Sequence, residues 1–478
     1  MPLPRLRIAM STEDLRPGLQ QIRAEFEIPR GFPADVEAEA RAIDADGAGS
    51  GRPERADHRH LPFVTIDPPG SKDLDQAFFA ERAKGGYRVH YAIADVAPFV
   101  PPEGAIDREA WRRGLTRYLP DGKAPLHPTA LSDDRASLLP DVDRPALLWT
   151  IDLDASGAVQ ESRLEPTVVR SLRAYSYAEV QSALDSGSAE EPLRHLREIG
   201  RILEAREVER DGVSLNLPSR EVARVGSGYV FRYERVLPVE QWNAQISLLA
   251  GHCAATIMLE GGIGVLRTLP PVDRRRRATL ERAAKGLGIE WPNKASLGDV
   301  VRGQDGSTPE SAAFLTQATH ALRGAGYTVV GEGADGAGAM EHGALRMKYA
   351  HVTAPLRRLV DRYANEIVVS LCAGKPVPDW AAKGLPNLPE TMADADRRSD
   401  AVEAAVLNLA ESLVLAPHVG STFRATVIDA EEDHARIMLR DPPVVEKVKA
   451  DGVELGTMVE VRLVEADPAR RSITFELA

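Results

Sequence analysis

Cysteine, aromatic residues and long apolar runs are all scarce in this sequence of 478 residues. Its two cysteines, Cys253 and Cys372, stand alone in helix-like apolar segments, without metal-ligand spacing. We expect two buried thiols in a reducing cytoplasm rather than a disulfide. No window approaches the roughly 18 apolar residues of a membrane span, and the start, MPLPRLRIAMSTEDL, is too short and too interrupted by charge for a signal peptide. The sequence therefore predicts a cytoplasmic protein without a membrane partner.

Acidic residues outnumber basic ones, 71 to 59, and the net charge is −12. This charge argues against a protein that coats nucleic acid through general positive charge. It leaves a nucleic-acid enzyme possible, because a basic channel can lie inside an acidic shell and a metal site needs carboxylates. The length suits roughly two to four domains with substantial cores.

The residue pattern changes twice along the chain. Residues 1 to about 45 are typical of two or three short helices, followed by a polar, glycine-rich linker at 44–60. From Leu61, the runs FVTID, YRVHYAIADV and ALLWTIDLD indicate strands, and the middle third indicates mainly helices with one hairpin, REVARVGSGYVFRYERV. From His418 the apolar period returns to two, which predicts a small antiparallel barrel of five strands.

Three acids lie close together in the segment TIDPPGSKDLDQAFF, residues 65–79. Asp67, Asp73 and Asp75 would repel one another, and burying them without partners would cost several kcal/mol each. A divalent cation resolves this repulsion, and carboxylates at irregular loop spacing suit Mg²⁺ or Mn²⁺. On an extended segment, Asp73 and Asp75 would point to one side while Leu74 anchors the other side in the core.

Other interpretations of this segment stay open from the residues alone. Its Asp, Pro, Gly and Ser residues are also typical of a solvated turn. The nucleophilic aspartate of a phosphotransferase would need a separate lysine and a threonine motif, which we do not find. A calcium loop would need evenly alternating oxygen ligands and a distal glutamate, and the QAFF that follows supplies neither.

The segment TIDPPGSKDLDQA closely resembles the signature of the ribonuclease II family, the RNB-type 3′→5′ exoribonucleases. Three further blocks resemble the same family in the same order: YAIADV at 91–96, TRYLPDGKAPLHPTALSDDRASL at 116–138 and YAHVTAPLRRLVDRY at 349–363. The C-terminal barrel is similar to the S1-type RNA-binding module of that family. The resemblance implies a nuclease that hydrolyses single-stranded RNA to 5′-mononucleotides.

The resemblance also implies a metal centre. In the family, four aspartates hold two Mg²⁺ ions around the scissile phosphate, and Mn²⁺ is an alternative ion. Asp67, Asp73 and Asp75 match three of those positions, but the fourth is Gln76, which can coordinate only through its carbonyl oxygen. Asp75 and Asp73 are expected to be catalytic, together with Arg357, which matches the arginine that contacts the phosphate.

The remaining correspondences concern substrate binding. Tyr118 matches an aromatic that stacks on the terminal base, and base stacking is worth about 1–3 kcal/mol per base. Departures from the family pattern occur where it has a clamp aromatic, replaced here by Leu217, and a paired glutamate, replaced by polar residues. The expected substrate-binding residues are Tyr118, Tyr177, Leu217, Asn243, Gln245, Arg358 and Glu403.

The implied fold is multidomain α+β. It comprises a small helical domain, open to interpretation as a helix-turn-helix unit, with a linker at 1–56. A mixed α/β RNB catalytic domain at 57–416 and a five-stranded OB (S1-like) β-barrel at 417–478 follow. The alternative for the barrel is a packing or dimerising role.

The front of the chain departs from bacterial relatives, in which two cold-shock-type barrels usually precede the catalytic domain. Only about 60 residues with a helical pattern stand there, so we expect a more open RNA entrance that tolerates structured RNA. No protein partner is implied, and we expect a monomer. The rival interpretation is a non-catalytic RNA-binding regulator that lost activity through Gln76 and the altered clamp.

Overall fold

The computed structural model describes residues 8–10, 12–43, 55–83, 85–213, 219–225, 228–234, 236–304, 308–331, 340–431, 433–439 and 444–478. Its strands are β1 (Ile8–Met10), β2 (Ala56–Asp57), β3 (Phe63–Asp67), β4 (Gln76–Ala83), β5 (Gly86–Ala94), β6 (Arg117–Leu119), β7 (Gly122–Ala124), β8 (Asp143–Leu153), β9 (Val159–Ser176), β10 (Ser219–Val225), β11 (Gly228–Glu234), β12 (Gly264–Thr268), β13 (Gly326–Val330), β14 (Thr422–Ala430), β15 (His434–Leu439), β16 (Val445–Lys449), β17 (Met458–Asp467) and β18 (Ser472–Leu477). Its helices are α1 (Thr12–Glu25), α2 (Ala34–Ala42), α3 (Ala105–Arg113), α4 (Tyr177–Asp185), α5 (Glu191–Glu209), α6 (Pro238–Glu260), α7 (Arg274–Gly286), α8 (Leu297–Arg302), α9 (Pro309–Ala321), α10 (Leu359–Cys372), α11 (Asp379–Gly384) and α12 (Leu388–Leu415).

A six-stranded sheet in the order β2-β9-β3-β4-β5-β8 is the largest sheet of the described residues. Strand β9 pairs antiparallel with β8 along its first part and parallel with β3 near its end, so the strand pairs form a closed ring. Strands β5 and β8 are buried almost throughout, as expected for strands covered on both faces. Trp149 and Tyr91 are among the largest fully buried side chains.

Helices α5, α6 and α10 pack on this sheet and bury their apolar faces with it. On α6, Gly251 permits a close approach, because an added Cβ would lie 2.2 Å from the Tyr349 ring. The Gly251 carbonyl accepts a 3.1 Å hydrogen bond from the amide of Ala350. This contact fixes the segment that leads into the loop 353–358, which carries Arg357.

The C-terminal barrel is closed, in the order β14-β15-β16-β18-β17. The prediction of five strands is confirmed, but the prediction that all are antiparallel was wrong, because β16 and β18 pair in parallel. Its aromatics Phe423 and Phe475 pack edge to face, with ring centroids 6.0 Å apart, and Phe475 is buried.

The two N-terminal helices pack on different neighbours. Leu15, Leu19 and Ile22 of α1 are buried in a cluster with α12 and the barrel. Val36 and Ala40 of α2 belong instead to a cluster on the central sheet. The division at 1–56, 57–416 and 417–478 therefore stays a proposal.

Two further expectations need correction. Cys253 is buried as predicted, but Cys372, the last residue of α10, is exposed. The middle of the chain is also less helical than predicted, since the 18-residue strand β9 reaches Ser176. No helix in the described ranges combines the length and apolarity needed to cross a membrane.

Candidate active site

The acid segment connects strands β3 and β4. Asp67 is the last residue of β3, and Asp73, Leu74 and Asp75 directly precede β4. Leu74 is buried, its amide donates to Ser137 Oγ at 2.9 Å, and its carbonyl accepts from the amide of Leu138 at 3.0 Å. The prediction that Leu74 anchors this segment in the core is confirmed.

Asp75 joins the acid segment to the loop 353–358. It is only 1% exposed. Its Oδ1 accepts from the amide of Leu356 at 2.8 Å, and its Oδ2 accepts from Arg357 Nε at 2.7 Å. Burial raises the pKa of Asp75 to about 6, and the Arg357 charge and the two hydrogen bonds oppose that rise. The guanidinium of Arg357 therefore lies directly beside the carboxylate expected to carry the chemistry.

Asp73 contacts the hairpin β6–β7. Its Oδ2 accepts from the Tyr118 hydroxyl at 2.8 Å, and its Oδ1 lies 3.1 Å from Lys123 Nζ. Tyr118 and Lys123 are directly opposite each other in the hairpin, so both side chains lie on one face. Lys123 Nζ also lies 2.8 Å from Asp133 Oδ1. The second acid of the segment thus shares one lysine with Asp133.

Asp67 differs from its neighbours in its surroundings. No hydrogen bond or ion pair from the described part of the chain reaches its carboxylate. Burial raises the pKa of Asp67 to about 7, the charges of Asp75 and Asp73 raise it further, and Arg357 opposes the rise. The three acids are therefore close enough to repel one another.

These observations test whether the site suits a divalent cation. Hard carboxylate oxygens that repel one another are the donors that Mg²⁺ and Mn²⁺ prefer. Asp67 and Asp75 fit that chemistry, whereas Asp73 already has an ammonium group beside it. Within the described ranges, no three His, Cys, Asp or Glu side chains are grouped as a metal site.

Gln76 is engaged at both ends of its amide. Its Nε2 donates to the Thr353 carbonyl at 2.7 Å, and its Oε1 accepts from the Tyr91 hydroxyl. The Ser247 hydroxyl lies 3.4 Å from the same oxygen. The structure therefore directs the oxygen that was expected to bind metal toward Tyr91, and the side chain links β4 to the loop 353–358.

Arg357 and Arg358 have different surroundings. The Arg357 side chain is 40% exposed, so donors beyond Nε can reach a ligand. Arg358 donates twice to Asp361, at 2.8 Å and 2.9 Å. The guanidinium of Arg358 is thus held in an ion pair with Asp361, unlike that of Arg357.

The expected substrate-binding residues are only partly brought together. Tyr118 is 56% exposed beside Asp73. Tyr177 begins α4, and burial, followed by the charge of Asp67, raises its pKa to about 12. Asn243 Nδ2 lies 3.4 Å from the Tyr177 hydroxyl. Tyr118 and Tyr177 thus lie near the acids, and Asn243 lies beside Tyr177.

Two other expected residues are not placed at the acids. Gln245 is buried and donates to Glu207 of α5 at 2.6 Å. Glu403 is exposed on α12. Leu217 lies outside the described residues.

Sequence reasoning missed Lys123, Tyr91 and Ser247. For Lys123 a signal was present: Pro120-Asp121 followed by Gly122 is typical of a tight turn, and the pairing of Leu119 with Gly122 across it places Tyr118 opposite Lys123. Tyr91 and Ser247 carried no such signal, because their contact depends on how α6 packs on the sheet.

Comparisons with known proteins show what this chain is similar to. The RNB domain family matches residues 55–373, and the RNase II-type exonuclease C-terminal S1 domain matches residues 421–478. Ribonuclease R of Vibrio cholerae is 26% identical over 453 residues, which cover 87% of this chain and 53% of that protein. The chain thus spans about half the length of this curated relative.

Two solved structures show the same fold. Mycoplasma genitalium RNase R in complex with ribose methylated single-stranded RNA matches with a TM-score of 0.86 and 19% identity. The match covers 98% of this chain and 78% of the M. genitalium chain. Yeast Ssd1, described as a pseudonuclease, matches with a TM-score of 0.69 and 16% identity. The match covers 96% of this chain and 58% of the Ssd1 chain.

Proposed function

The chain belongs to the RNB domain family, and from that premise we propose that it is a divalent-metal-dependent 3′→5′ exoribonuclease. Its substrate would be single-stranded RNA and its products 5′-mononucleotides. The observation that carries the proposal is the pair formed by buried Asp75 and partly exposed Arg357 beside Asp67. Burial and the neighbouring acids raise the pKa of Asp67. The RNA bound by the M. genitalium neighbour supports RNA as the ligand.

The metal would be held by Asp67 and Asp75, with Mg²⁺ as the expected ion and Mn²⁺ as the alternative. When bound, such an ion favours the hydroxide form of the attacking water and stabilises the leaving oxygen. Two ions are expected from the resemblance. The engagement of Gln76 and the Lys123–Asp73 pair reduces the oxygen ligands for a second ion. The number of ions is therefore the quantity to measure.

The protein's own side chains would position the substrate. The exposed N–H groups of Arg357 would donate hydrogen bonds to the scissile phosphate. Their positive charge would stabilise the negative charge that increases on this phosphate in the transition state. Tyr118, fixed through Asp73, would stack on the terminal base without selecting its identity. Tyr177 and Asn243 would border the same nucleotide on the α4 and α6 side. We propose a monomer that acts in the cytoplasm.

The test uses a 5′-labelled oligoribonucleotide with Mg²⁺. We expect a ladder that shortens from the 3′ end with the wild type, and none with EDTA. Asp75→Asn should lower the rate by at least about a hundredfold, because it removes a charge from the reacting centre. An endonucleolytic pattern, or equal rates with Asp75→Asn, would contradict the proposal.

The second candidate is a non-catalytic RNA-binding protein. It is favoured by one observation, that Lys123 and the contacts of Gln76 leave fewer oxygens for metal. The fold likeness to a pseudonuclease shows that such a protein could share this architecture. RNA that is shifted on a gel but stays intact with either Mg²⁺ or Mn²⁺ would support this candidate.

A further inference from the structure

A cavity of about 360 Å³ lies between the end of α1, helix α3, strand β6 and helix α12. Four arginines line it: Arg112, Arg113, Arg117 and Arg398. It is separate from the acid site, because successive side chains of a strand point to opposite faces. On β6, Tyr118 reaches Asp73, whereas Arg117 lines the cavity.

Two of these arginines share one carboxylate of the protein. Arg112 donates to both carboxylate oxygens of Glu109, at 2.8 Å and 2.7 Å, and Arg113 Nε donates to Glu109 at 2.7 Å. Arg113 also donates to the carbonyls of Pro125 and Gly31. Arg112 and Arg113 therefore line the cavity with guanidinium groups that already donate hydrogen bonds within the protein.

Arg117 and Arg398 have no such carboxylate among the described residues. Arg117 is 7% exposed, and its Nε has no hydrogen-bond partner in the described structure. The one hydrogen bond of its side chain within the described residues, to the Arg113 carbonyl, is 3.4 Å long. No described carboxylate lies within ion-pair distance of either guanidinium. Burial lowers the pKa of Arg117, and the charges of Arg398 and Arg113 lower it further. A buried cation without a partner is costly, and an anion in the cavity would offset that cost.

The rest of the lining identifies the anion. Glu25 is paired with Arg471 of the barrel, and Glu27 is exposed. Phe26 supplies a half-buried aromatic ring. Guanidinium groups bind phosphate through paired hydrogen bonds, and aromatic rings stack on bases. The volume is at the lower end of the range for small-molecule sites, about 300–1,000 Å³. One nucleotide combines a phosphate and a base at that size.

We propose that this cavity binds one nucleotide, with its phosphate on Arg117 and Arg398 and its base against Phe26. The nucleotide could belong to an RNA strand, upstream of the 3′ end held at the acids, or be a free mononucleotide. The first source rests on the proposed RNA substrate, and the second does not.

The test measures fluorescence anisotropy of 5′-labelled oligoribonucleotides of about 4 to about 20 nucleotides. EDTA is present so that no hydrolysis occurs. Arg398→Ala removes one exposed cation from the cavity. Arg397→Ala is the matched control, because Arg397 precedes it on α12, is exposed and pairs with Asp394 instead. In the longer RNAs, we expect about fivefold weaker binding for Arg398→Ala and a salt slope shallower by about 0.7. The shortest RNAs and the control should be unchanged.

A second arm titrates AMP into the same proteins by calorimetry. Loss of AMP binding in Arg398→Ala, with RNA binding unchanged, assigns the cavity to a free nucleotide. Arg117→Met, checked for folding by circular dichroism, should reproduce the effect. Equal RNA affinity, salt slope and AMP binding in Arg398→Ala and Arg397→Ala would overturn the proposal. Because these measurements need no catalysis, that failure is distinct from intact RNA in the degradation assay.

Discussion

The three acids differ in whether a described side chain of opposite charge lies beside them. Asp75 is paired with Arg357 and Asp73 with Lys123, whereas no described side chain pairs with Asp67. A protein cation can thus stand beside an acid of this segment, so the three carboxylates are not equivalent metal ligands. Differences among them should appear in pH dependence and in metal affinity.

The first prediction concerns pH and stability without metal. The pKa values of Asp67 and Asp75 rise from 3.8 to about 7 and about 6, with burial as the largest cause. The folded state therefore binds more protons than the unfolded state between these values. Stability from these two groups should fall as pH rises from about 4 to about 7 and then level off.

A divalent cation should reverse this loss, because it binds the ionised carboxylates. We expect Mg²⁺ or Mn²⁺ to raise the melting temperature more at pH 8 than at pH 5.5, as measured by thermal unfolding. The Asp67→Asn variant should reduce the metal effect at pH 8. Equal stabilisation at the two pH values would contradict the assignment of these acids.

The second prediction concerns Lys123. Lys123→Met removes the ammonium beside Asp73 and so increases the negative charge available to a metal. We expect Mn²⁺ to bind about threefold to tenfold more tightly, as measured by electron paramagnetic resonance. Lys383→Met, at an exposed lysine paired with Asp379, is the control. Unchanged affinity in Lys123→Met would show that the lysine does not compete with the metal.

At the scale of elements, the sequence periods predicted the strands around the acids and the helices α5, α6 and α10. The 18-residue strand β9 was missed, because charged residues interrupt its apolar alternation. The placement of Gln245 could have been predicted. Residues 243 and 245 lie about 200° apart around a helix, so they cannot face one site. The contacts of Gln76 could not have been predicted, because they join elements that are far apart in sequence.

The third prediction tests how α1 is attached. Leu19 is buried between α1 and α12, and Gly18 lies close to Leu409. Leu19→Ala should destabilise the protein by about 2–5 kcal/mol, because it leaves a cavity in that contact. Urea unfolding measures the change, with exposed Gln20→Ala as the control. A change under about 0.5 kcal/mol would indicate that α1 does not contribute to the core.

At the scale of the whole molecule, α1, α12 and the barrel share one hydrophobic cluster. Val461 belongs to the barrel part of this cluster and Leu19 to the α1 part. We predict that Val461→Ala and Leu19→Ala lower the same transition in calorimetry. Separate transitions, each sensitive to only one substitution, would show instead that the barrel unfolds as an independent domain.

The contact between Asp75 and Leu356 has a consequence for synthesis, because these residues are 281 positions apart. At about 5–20 residues per second, all three acids leave the ribosome roughly 15–55 s before the loop that carries Arg357. During that interval Asp75 lacks both of its hydrogen-bond donors, the Leu356 amide and the Arg357 guanidinium. A nascent chain therefore cannot assemble the site beside the messenger RNA being translated until synthesis has passed the loop 353–358.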